Sequence, residues 1–552
     1  MRQTILTVIL EVQPASTERL AELIRDLRAR LESTSNGVEE YAVLRDRVPA
    51  LHFLSMSIFR DVHYDPVLTL EANFDGPAGP FWAQFEAALG DELREMVRCC
   101  KPPTDDTRGL YDAVTKRGST RALAPLFEAK TVRPAVSHMG NRGRSRDQII
   151  AEGELFEATR SELRQRDPNI PNPYRPLSAA GIHQRLRAAL LPTHPWLAEP
   201  APVRIDLAEG AADWIRFGAF LFLVLLCLSL PGLVLAPTGT SGRVFLVLLI
   251  ATPAVAFQLY RLRTPLIGQD APKLARAILT RRRVVFQPVR TVAIMAFVLV
   301  VLVGYTYLAA LVVAPAVSLL GGHGFGEAYG FALKATWLGL LSVPLSVGII
   351  LLWVRWLEYR DPSHDAPPVN ERRMRAMARR EDRLPQNHMG SMVLVKPGLL
   401  RAVLIRVGLW GLGLFLRILP ASRNGYLANM RTIHFAHWAL VSNGGRLLFF
   451  SNYDGTWESY LDDFIEKANE GLTLAWTNGV GFPPTRFLVQ DGASHGRRFK
   501  AWARHSMAVT LLWYSAYKHY TVNQIERHAR IANGLRRPTL TPKEADEWAR
   551  DL

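Results

Sequence analysis

The tetrapeptide Asn73-Phe74-Asp75-Gly76 recurs near the other end of the chain as Asn452-Tyr453-Asp454-Gly455. Four further pairs of markers keep the same order around it. They are Pro14 and Pro397, His52-Phe53 and His434-Phe435, Phe81 with Phe85 and Tyr460 with Phe464, and Ser145-x-x-Gln148-Ile149 and Thr521-x-x-Gln524-Ile525. Five ordered matches indicate that one structural module is present twice. Two copies of one fold usually pair about a pseudo-twofold axis, so a functional surface is expected near their contact.

Hydrophobic spacing predicts the same order of elements in both copies. In the first copy, strands are predicted at 4–12, 51–59, 67–73 and 130–138, and helices at 16–31, 77–97 and 145–166. In the second copy, strands are predicted at 391–396, 432–441, 446–451 and 509–516, and helices at 399–419, 457–472 and 521–535. The order β-α-β-β-α-β with a trailing helix is typical of a ferredoxin-like α+β module.

Four long stretches between the copies are nearly free of charge. They cover Phe217 to Pro237, Val244 to Tyr260, Val292 to Leu320 and Ala335 to Val354. Each is close to or above the roughly 20 residues that a membrane-spanning helix needs. The sequence therefore predicts an all-α transmembrane unit of four helices between two α+β modules.

The predicted orientation depends on the loop between the second and third stretches. Residues 261–290 contain eight Lys and Arg residues and one acid, Asp270, whereas the other two loops have almost no charge. The positive-inside rule places this loop in the cytoplasm, and an even number of spans places both modules there too. Three cysteines, two of them adjacent, indicate no disulfide framework. We therefore expect an integral protein of the cell inner membrane.

The chain divides by composition into five parts. A first module at 1–166 is followed by a proline-rich connector at 167–210, four transmembrane helices at 211–358, a basic linker at 359–390 and a second module at 391–552. The net charge of +16 is concentrated beside the membrane. Such clusters attract anionic headgroups, and most of this charge also serves to set topology. Basic residues interleaved with aromatic ones, as nucleic-acid binding requires, are not seen. The predicted partners are membrane lipids and not nucleic acid.

The helix at 399–419 differs from its counterpart at 16–31. It is almost wholly apolar and carries only Arg401, Arg406 and Arg417 as charges, whereas the counterpart is polar on one face. Such a helix lies in the membrane interface with its arginines reaching the headgroups, or is buried all round. A short re-entrant fifth span is the remaining alternative.

The repeated motif supplies the candidate catalytic residues. Asp75 and Asp454 either cap a helix while the glycine makes the turn, or act as a general acid or base, with Tyr453 beside the second aspartate as a further candidate. His52 and His434 are candidate cofactor ligands, since histidine commonly ligates haem and metals. The alternative is that both histidines are satisfied core residues. No zinc-spaced set or other metal motif is present.

A second candidate site precedes the trailing helix of the first copy. The run Gly140-Asn141-Arg142-Gly143-Arg144-Ser145 leads into the helix. Arg142, Arg144 and Ser145 would form an anion cradle for a phosphate or lipid headgroup. An ordinary basic turn explains the same residues.

The second copy also resembles a known family. Residues Arg446 to Ser451, the helix after them and Gly479-Val480-Gly481-Phe482-Pro483 are similar in layout to the second module of the dye-decolourising peroxidases, which belong with the chlorite dismutases. Where those peroxidases carry Gly-x-x-Asp-Gly, this chain has Asn-Phe-Asp-Gly and Asn-Tyr-Asp-Gly. The resemblance implies a pseudo-dimeric α+β barrel and a haem cofactor. Other members of this architecture are monooxygenases, isomerases and dehydratases without a cofactor.

Two functions follow from these observations. The first is a peroxidase-like or oxygenase-like oxidoreductase that acts on a hydrophobic, lipid-derived small molecule delivered by the membrane helices. The alternative is a non-catalytic lipid-binding or scaffold membrane protein that docks a partner enzyme.

Overall fold

The computed structural model describes residues 3–35, 38–40, 42–164, 172–236, 241–262, 288–322, 324–362, 370–381, 385–427 and 430–552. It is a mixed helix and strand structure with two five-stranded antiparallel sheets. Most of the basic loop 261–290, on which the predicted orientation depends, lies outside the described residues.

The first module contains five strands and three main helices. In chain order they are β1 (Gln3–Glu11), α1 (Thr17–Leu31), β2 (Leu51–Phe59), β3 (Val67–Asp75), α2 (Ala78–Arg98), β4 (Thr131–Val132), β5 (Val136–Met139) and α3 (Arg146–Leu163). Short helices at Ala42–Arg47, Arg108–Thr115 and Ala124–Ala129 and a small hairpin of Ser33–Ser35 with Val38–Glu40 complete it. A connector helix follows at Ala179–Leu190.

Four long apolar helices and the second module follow. They are α4 (Leu207–Leu235), α5 (Ser241–Arg261), α6 (Pro288–Gly321), α7 (Phe325–Tyr359), β6 (Gln386–Leu394), α8 (Leu399–Ile418), β7 (Ile433–Val441), β8 (Arg446–Asp454), α9 (Trp457–Trp476), β9 (Met507–Ala508), β10 (Thr510–Ser515) and α10 (Val522–Arg536). Minor elements are helices at Glu371–Glu381, Pro420–Arg423, Gly496–Ser506 and Pro542–Ala549, and a small hairpin of Thr485–Arg486 with Gln490–Asp491.

The two modules exchange strands. One sheet has the order β10-β2-β3-β1-β4 and the other has the order β9-β6-β8-β7-β5. Each predicted last strand is divided in two: its first part pairs with the first strand of its own module, and its second part pairs with the other module. Val136 lies opposite Trp438, and Thr510 lies opposite Ser57. Neither module therefore has a complete sheet without the other.

The two sheets pack face to face, and the main helices cover their outer faces. Phe59 of one sheet lies 6.2 Å from Phe450 of the other, measured between ring centroids, in a shared hydrophobic cluster. Helices α1 and α2 pack in the outer core of the first sheet, and α8 and α9 in that of the second. The trailing helices α3 and α10 pack with the connector helix in a third cluster that joins the modules.

The first strand of the second module begins at Gln386, five residues before the predicted start at 391. Gln386, Asn387 and His388 are polar, so the sequence assigned them to the linker that precedes the module. In the structure Gln386 and Asn387 are buried, and all three pair with β8.

Five helices in the described parts of the chain are long and apolar enough to cross a membrane. They are Leu207–Leu235, Gly242–Arg261, Val298–Gly321, Phe325–Tyr359 and Leu399–Ile418. The predicted count of four is therefore corrected to five by this criterion. The fifth is α8, in which Arg401 and Arg406 are the only charged residues between Leu399 and Leu416.

The end of α7 is bonded directly to the second module. Glu358 accepts hydrogen bonds from the backbone N–H groups of Phe487 at 3.0 Å and Leu488 at 2.9 Å. Both residues have positive φ, so their N–H groups converge on one carboxylate. The buried Arg355 donates to the carbonyl of Thr485 at 3.3 Å. These bonds hold the membrane unit against the second module.

Candidate functional site

Both repeated Asp-Gly turns have a backbone that favours glycine. Gly76 has φ of +86° and Gly455 has φ of +84°. No heavy atom lies within 4 Å of the position that a Cβ would take at either glycine. Glycine is therefore favoured by conformation and not by crowding, as the sequence predicted for the turn.

The two aspartates cap the trailing helices, not the helices that directly follow them. Asp75 Oδ2 accepts the N–H of Arg146 at 2.7 Å, and Asp454 Oδ2 accepts the N–H of Val522 at 2.8 Å. Arg146 and Val522 are the first residues of α3 and α10. The helix after Asp75 starts at Ala78, and its N-cap residue Pro77 makes no side-chain cap. Thr456 caps the helix after Asp454. The prediction that each aspartate caps a helix is thus right in kind but wrong in the helix, which is the trailing helix and not the next one along the chain.

The second oxygen of each aspartate faces the repeated histidine. His52 Nε2 lies 3.1 Å from Asp75 Oδ1, and His434 Nε2 lies 2.8 Å from Asp454 Oδ1. The pairing registers of β2 with β3 and of β7 with β8 shift at these two histidines. A bulge redirects a side chain relative to its neighbours. The repeated residues therefore form two corresponding histidine–aspartate pairs, each at the start of a trailing helix, and the pair of His434 with Asp454 is the one with hydrogen-bond geometry.

The two pairs meet in an aromatic cluster between the modules. Ring centroids of His52 and Phe435 are 5.4 Å apart, and those of Phe53 and His434 are 5.3 Å apart. Tyr517 breaks the symmetry, because its hydroxyl lies 2.8 Å from His52 Nδ1. Burial raises the pKa of Tyr517 well above its ordinary value, so it stays protonated.

The geometry of His52 and His434 does not fit haem ligation. Both side chains are buried, and both nitrogens of His52 already face protein partners. His434 keeps one buried nitrogen without a hydrogen bond among the described residues, but Phe53 packs on its ring. Three clefts, beside Arg142, Ser145 and Leu93, are lined by neither histidine. Binding a macrocycle would require this aromatic cluster to open.

A second buried polar group lies between the sheets and is centred on Glu71. This carboxylate is fully buried in the middle of β3. It accepts hydrogen bonds from Ser55 at 3.0 Å and from Asn73 at 3.0 Å within its own module. The second module contributes His388, whose Nε2 lies 3.1 Å from Glu71 Oε2. We call these residues, with their partners below, the Glu71 cluster.

The other members of the Glu71 cluster come from both modules. Asn452 donates to Glu71 Oε1 at 3.4 Å, and His437 Nδ1 lies 3.7 Å from the same oxygen. The far nitrogens of the histidines are also held, His437 by Thr7 at 2.9 Å and His388 by Thr510 at 2.9 Å. Every carboxylate oxygen thus has donors, as a buried charge requires.

Burial and hydrogen bonding oppose each other at Glu71. Burial raises the pKa of the Glu71 carboxyl, but the hydrogen bond and charge of His388 outweigh burial and leave the pKa lowered. Glu71 is therefore ionised at neutral pH. Burial lowers the pKa of His437 to about 4, so this side chain is neutral there.

The Glu71 cluster has no copy in the second module. The register places Phe450 on β8 where Glu71 stands on β3, opposite Gly390 and His437. A Cβ at Gly390 would lie 2.4 Å from the Phe450 ring, so glycine makes room for that ring. The repeat has diverged here into one polar and one aromatic half.

Tyr453 lies on the other face of its strand from the polar residues. It is fully buried, and its ring stacks on Tyr460 at 4.0 Å in the core beneath α9. Phe74 stacks on Phe81 at 4.1 Å in the same way in the first module. The structure thus separates Tyr453 from Asp454, because neighbouring strand residues point to opposite faces.

The predicted anion cradle is already bonded to protein carboxylates. Arg144 makes two hydrogen bonds to Glu526, at 3.1 and 3.0 Å, and is buried. Ser145 accepts the N–H of Gln148 at 3.1 Å and caps α3. Arg142 bonds Glu209 and Asp213 from α4. Two of the three residues are thus committed to the fold, and Arg142 faces the start of a membrane helix.

Glu71, His388 and His437 were not among the sequence candidates. Glu71 could have been found from the sequence, because it is an acid in the middle of the predicted strand 67–73. No histidine in the first copy corresponds to His437, and His388 lies in the predicted linker. Among the described residues, no group of three or more His, Cys, Asp or Glu is arranged to hold a metal ion.

Comparison of the chain with protein-family models, with curated proteins and with solved structures finds no match.

We expect Asp454 to act mainly through the fold. Asp454→Asn keeps an oxygen for the N–H of Val522 and should cost less than about 1 kcal/mol. Asp454→Ala leaves that N–H and the buried His434 unpaired and should cost about 2–4 kcal/mol. Thermal unfolding of the detergent-solubilised chain measures both. An alanine variant as stable as the parent would contradict the structural role.

Folding stability should fall as the pH drops from about 6.5 to 4. Burial lowers the pKa of His437 and of His138 to about 4 from their ordinary value of 6.5. Between these values the unfolded chain binds protons that the folded protein excludes, which costs up to about 1.4 kcal/mol per pH unit for each histidine. His437→Gln should flatten the dependence of the melting temperature on pH, and the exposed His63→Gln should not. Equal slopes for the parent and both variants would contradict the assignment.

Proposed function

We propose that this chain is a non-catalytic lipid-binding scaffold, in which two ferredoxin-like modules form a pseudo-dimeric α+β barrel that α8 seats on a membrane. The observation that carries the proposal is the double role of α8. One face of this helix belongs to the core of the second module, and the other is exposed and apolar.

The inner face of α8 is part of the fold. Ile405, Leu409 and Leu416 lie in the core of the second module. A Cβ at Gly413 would lie 2.6 Å from the carbonyl oxygen of Ala135, so α8 packs directly against the chain that enters β5. A helix held this closely on one side cannot be surrounded by lipid.

The chain path also indicates that α8 does not cross the bilayer. Strand β6 precedes α8 and β8 follows it, and the two strands pair from Gln386 with Asp454 to Leu394 with Arg446. Both ends of α8 must therefore lie on one side. Strand exchange likewise requires both modules on one side, which suits four crossings by α4 to α7. We propose that this side is the cytoplasm of a cell inner membrane.

The outer face of α8 is what the membrane would cover. Leu399, Val403, Val407, Trp410 and Phe415 are between 36% and 77% exposed. Trp410 packs edge-on against Phe220 of α4 at 4.9 Å, and Phe415 lies 6.1 Å from Phe217, so this face is continuous with a membrane helix. Transfer of such half-exposed side chains into lipid is worth about 1 kcal/mol each. The equivalent helix α1 exposes Glu18, Glu22, Arg25 and Asp26 instead.

A non-catalytic role is supported by the way in which the candidate catalytic residues are held within the protein. His434 is hydrogen-bonded to Asp454, His52 lies 3.1 Å from Asp75, and both aspartates accept the first N–H of a trailing helix. The space between the sheets is occupied by side chains. Such a platform would present its modules to a partner enzyme at the membrane surface.

The Glu71 cluster favours a second candidate function. An ionised carboxylate beside two histidines is suited to proton transfer, and we keep an oxidoreductase acting on a lipid-derived substrate as the alternative. The visible spectrum of the purified chain separates the two functions for a haem enzyme. We expect no Soret band in the parent, and a band that is lost in His434→Ala would favour the oxidoreductase.

We expect the outer face of α8 to lie in lipid. A Val407→Cys variant in a Cys227→Ser background, labelled with an environment-sensitive fluorophore, should emit at short wavelength in nanodiscs and be quenched by lipids with nitroxide-labelled chains. The matched control is Ala29→Cys on the exposed face of α1, which should behave as in water.

The same measurement can contradict the proposed contact of α8 with lipid. If the label at 407 behaves like the label at 29, α8 is covered by protein or water, and the proposed scaffold has no contact with lipid through the second module.

A further inference from the structure

We propose that the junction of α4 with the end of α8 binds the phosphate of an anionic phospholipid. This inference rests on the proposed function, because it needs α8 to lie at the membrane surface. A cavity of about 60 Å³ opens there, with Arg142, Arg204 and Arg417 on its walls.

Three arginines converge on one buried carboxylate at this junction. Asp213 of α4 is fully buried. Arg142 lies 3.0 Å from it, Arg417 of α8 lies 3.6 Å from it and Arg216 lies 3.8 Å from it. One carboxylate cannot neutralise three guanidinium groups, and Glu209, which also pairs with Arg142, adds one more negative charge.

A fourth arginine increases the positive charge at the same place. Arg423 Nε donates to the carbonyl oxygen of Arg417 at 3.0 Å, and Arg142 donates to that oxygen at 3.4 Å. Arg423 Nη2 is buried and has no hydrogen-bond partner among the described residues. Four arginines against two carboxylates leave an excess of two positive charges. An anion with several acceptor oxygens would satisfy both the charge and the free donor.

The position of this charge selects a lipid as the source of the phosphate. Arg216 and Arg417 are 61% and 42% exposed at their side chains. The next residue after Arg216 is Phe217, and two residues before Arg417 is Phe415; these two rings are in contact. The arginines thus stand at the edge of the apolar surface of α4 and α8. A phospholipid would lay its acyl chains on that surface and its phosphate on the arginines.

The test uses the full chain in detergent and native mass spectrometry, with phosphatidylglycerol and phosphatidylcholine as the probes. We expect the parent to retain phosphatidylglycerol in preference. Arg216→Gln with Arg417→Gln should weaken this binding about 30-fold, because two headgroup contacts are lost. Arg216→Lys with Arg417→Lys keeps the charge and should retain most of it. The matched control is Arg19→Gln with Arg25→Gln, which removes two exposed arginines of α1 and should leave phosphatidylglycerol binding unchanged.

Two results would overturn the site. One is equal phosphatidylglycerol binding by the parent and the double glutamine variant. The other is loss of inorganic phosphate binding in that variant with no change in lipid binding, which would assign the pocket to a soluble phosphate. The fluorophore at position 407 separates this failure from failure of the scaffold: a lipid-embedded label with unchanged lipid binding rejects only the site, whereas a water-exposed label rejects both.

Discussion

The start of each trailing helix is held by a carboxylate from the end of a distant strand. Asp75 and Asp454 bind the first N–H of α3 and α10, and the same carboxylates hold His52 and His434 at their bulges. Because the bulges direct both histidines inward, Phe53 and Phe435 meet between the modules. The trailing helices are thereby set against each other, and the connector packs on them. Together with strand exchange, this pair of bonds holds the two modules in contact.

The sequence predicted the repeat, the order of the elements and the apolar character of α8, because these leave periodic patterns in the chain. Patterns of spacing could not show which helix Asp75 caps, since its partner lies 71 residues away. They also could not show strand exchange, which joins Thr510 to Ser57 across the whole membrane unit. His388 was assigned to a linker because its neighbours are polar, and only pairing with β8 shows that this polarity faces the space between the sheets.

The two modules differ in polarity both between the sheets and on their outer surfaces. Between the sheets, the first module supplies Glu71 and the second supplies Phe450 with both histidines, so one ionised group is shared by two halves. On the outside, α1 remained polar and α8 became apolar. The first change joins the modules through a satisfied buried charge, and the second leaves only one of them with an exposed apolar helix face. The two modules thus differ in the polarity of their outer surfaces.

Strand exchange also has a consequence for how the chain is made. Strand β2 pairs with β10, which is synthesised more than 450 residues later, after all of the membrane helices. Until then the first module has an unpaired edge strand in Leu51–Phe59, and such an edge readily pairs with other chains. The first module therefore keeps an incomplete sheet while the chain of α4 to α9 is synthesised. Biogenesis of this protein calls for protection of that edge, by a chaperone or by close timing of insertion and release.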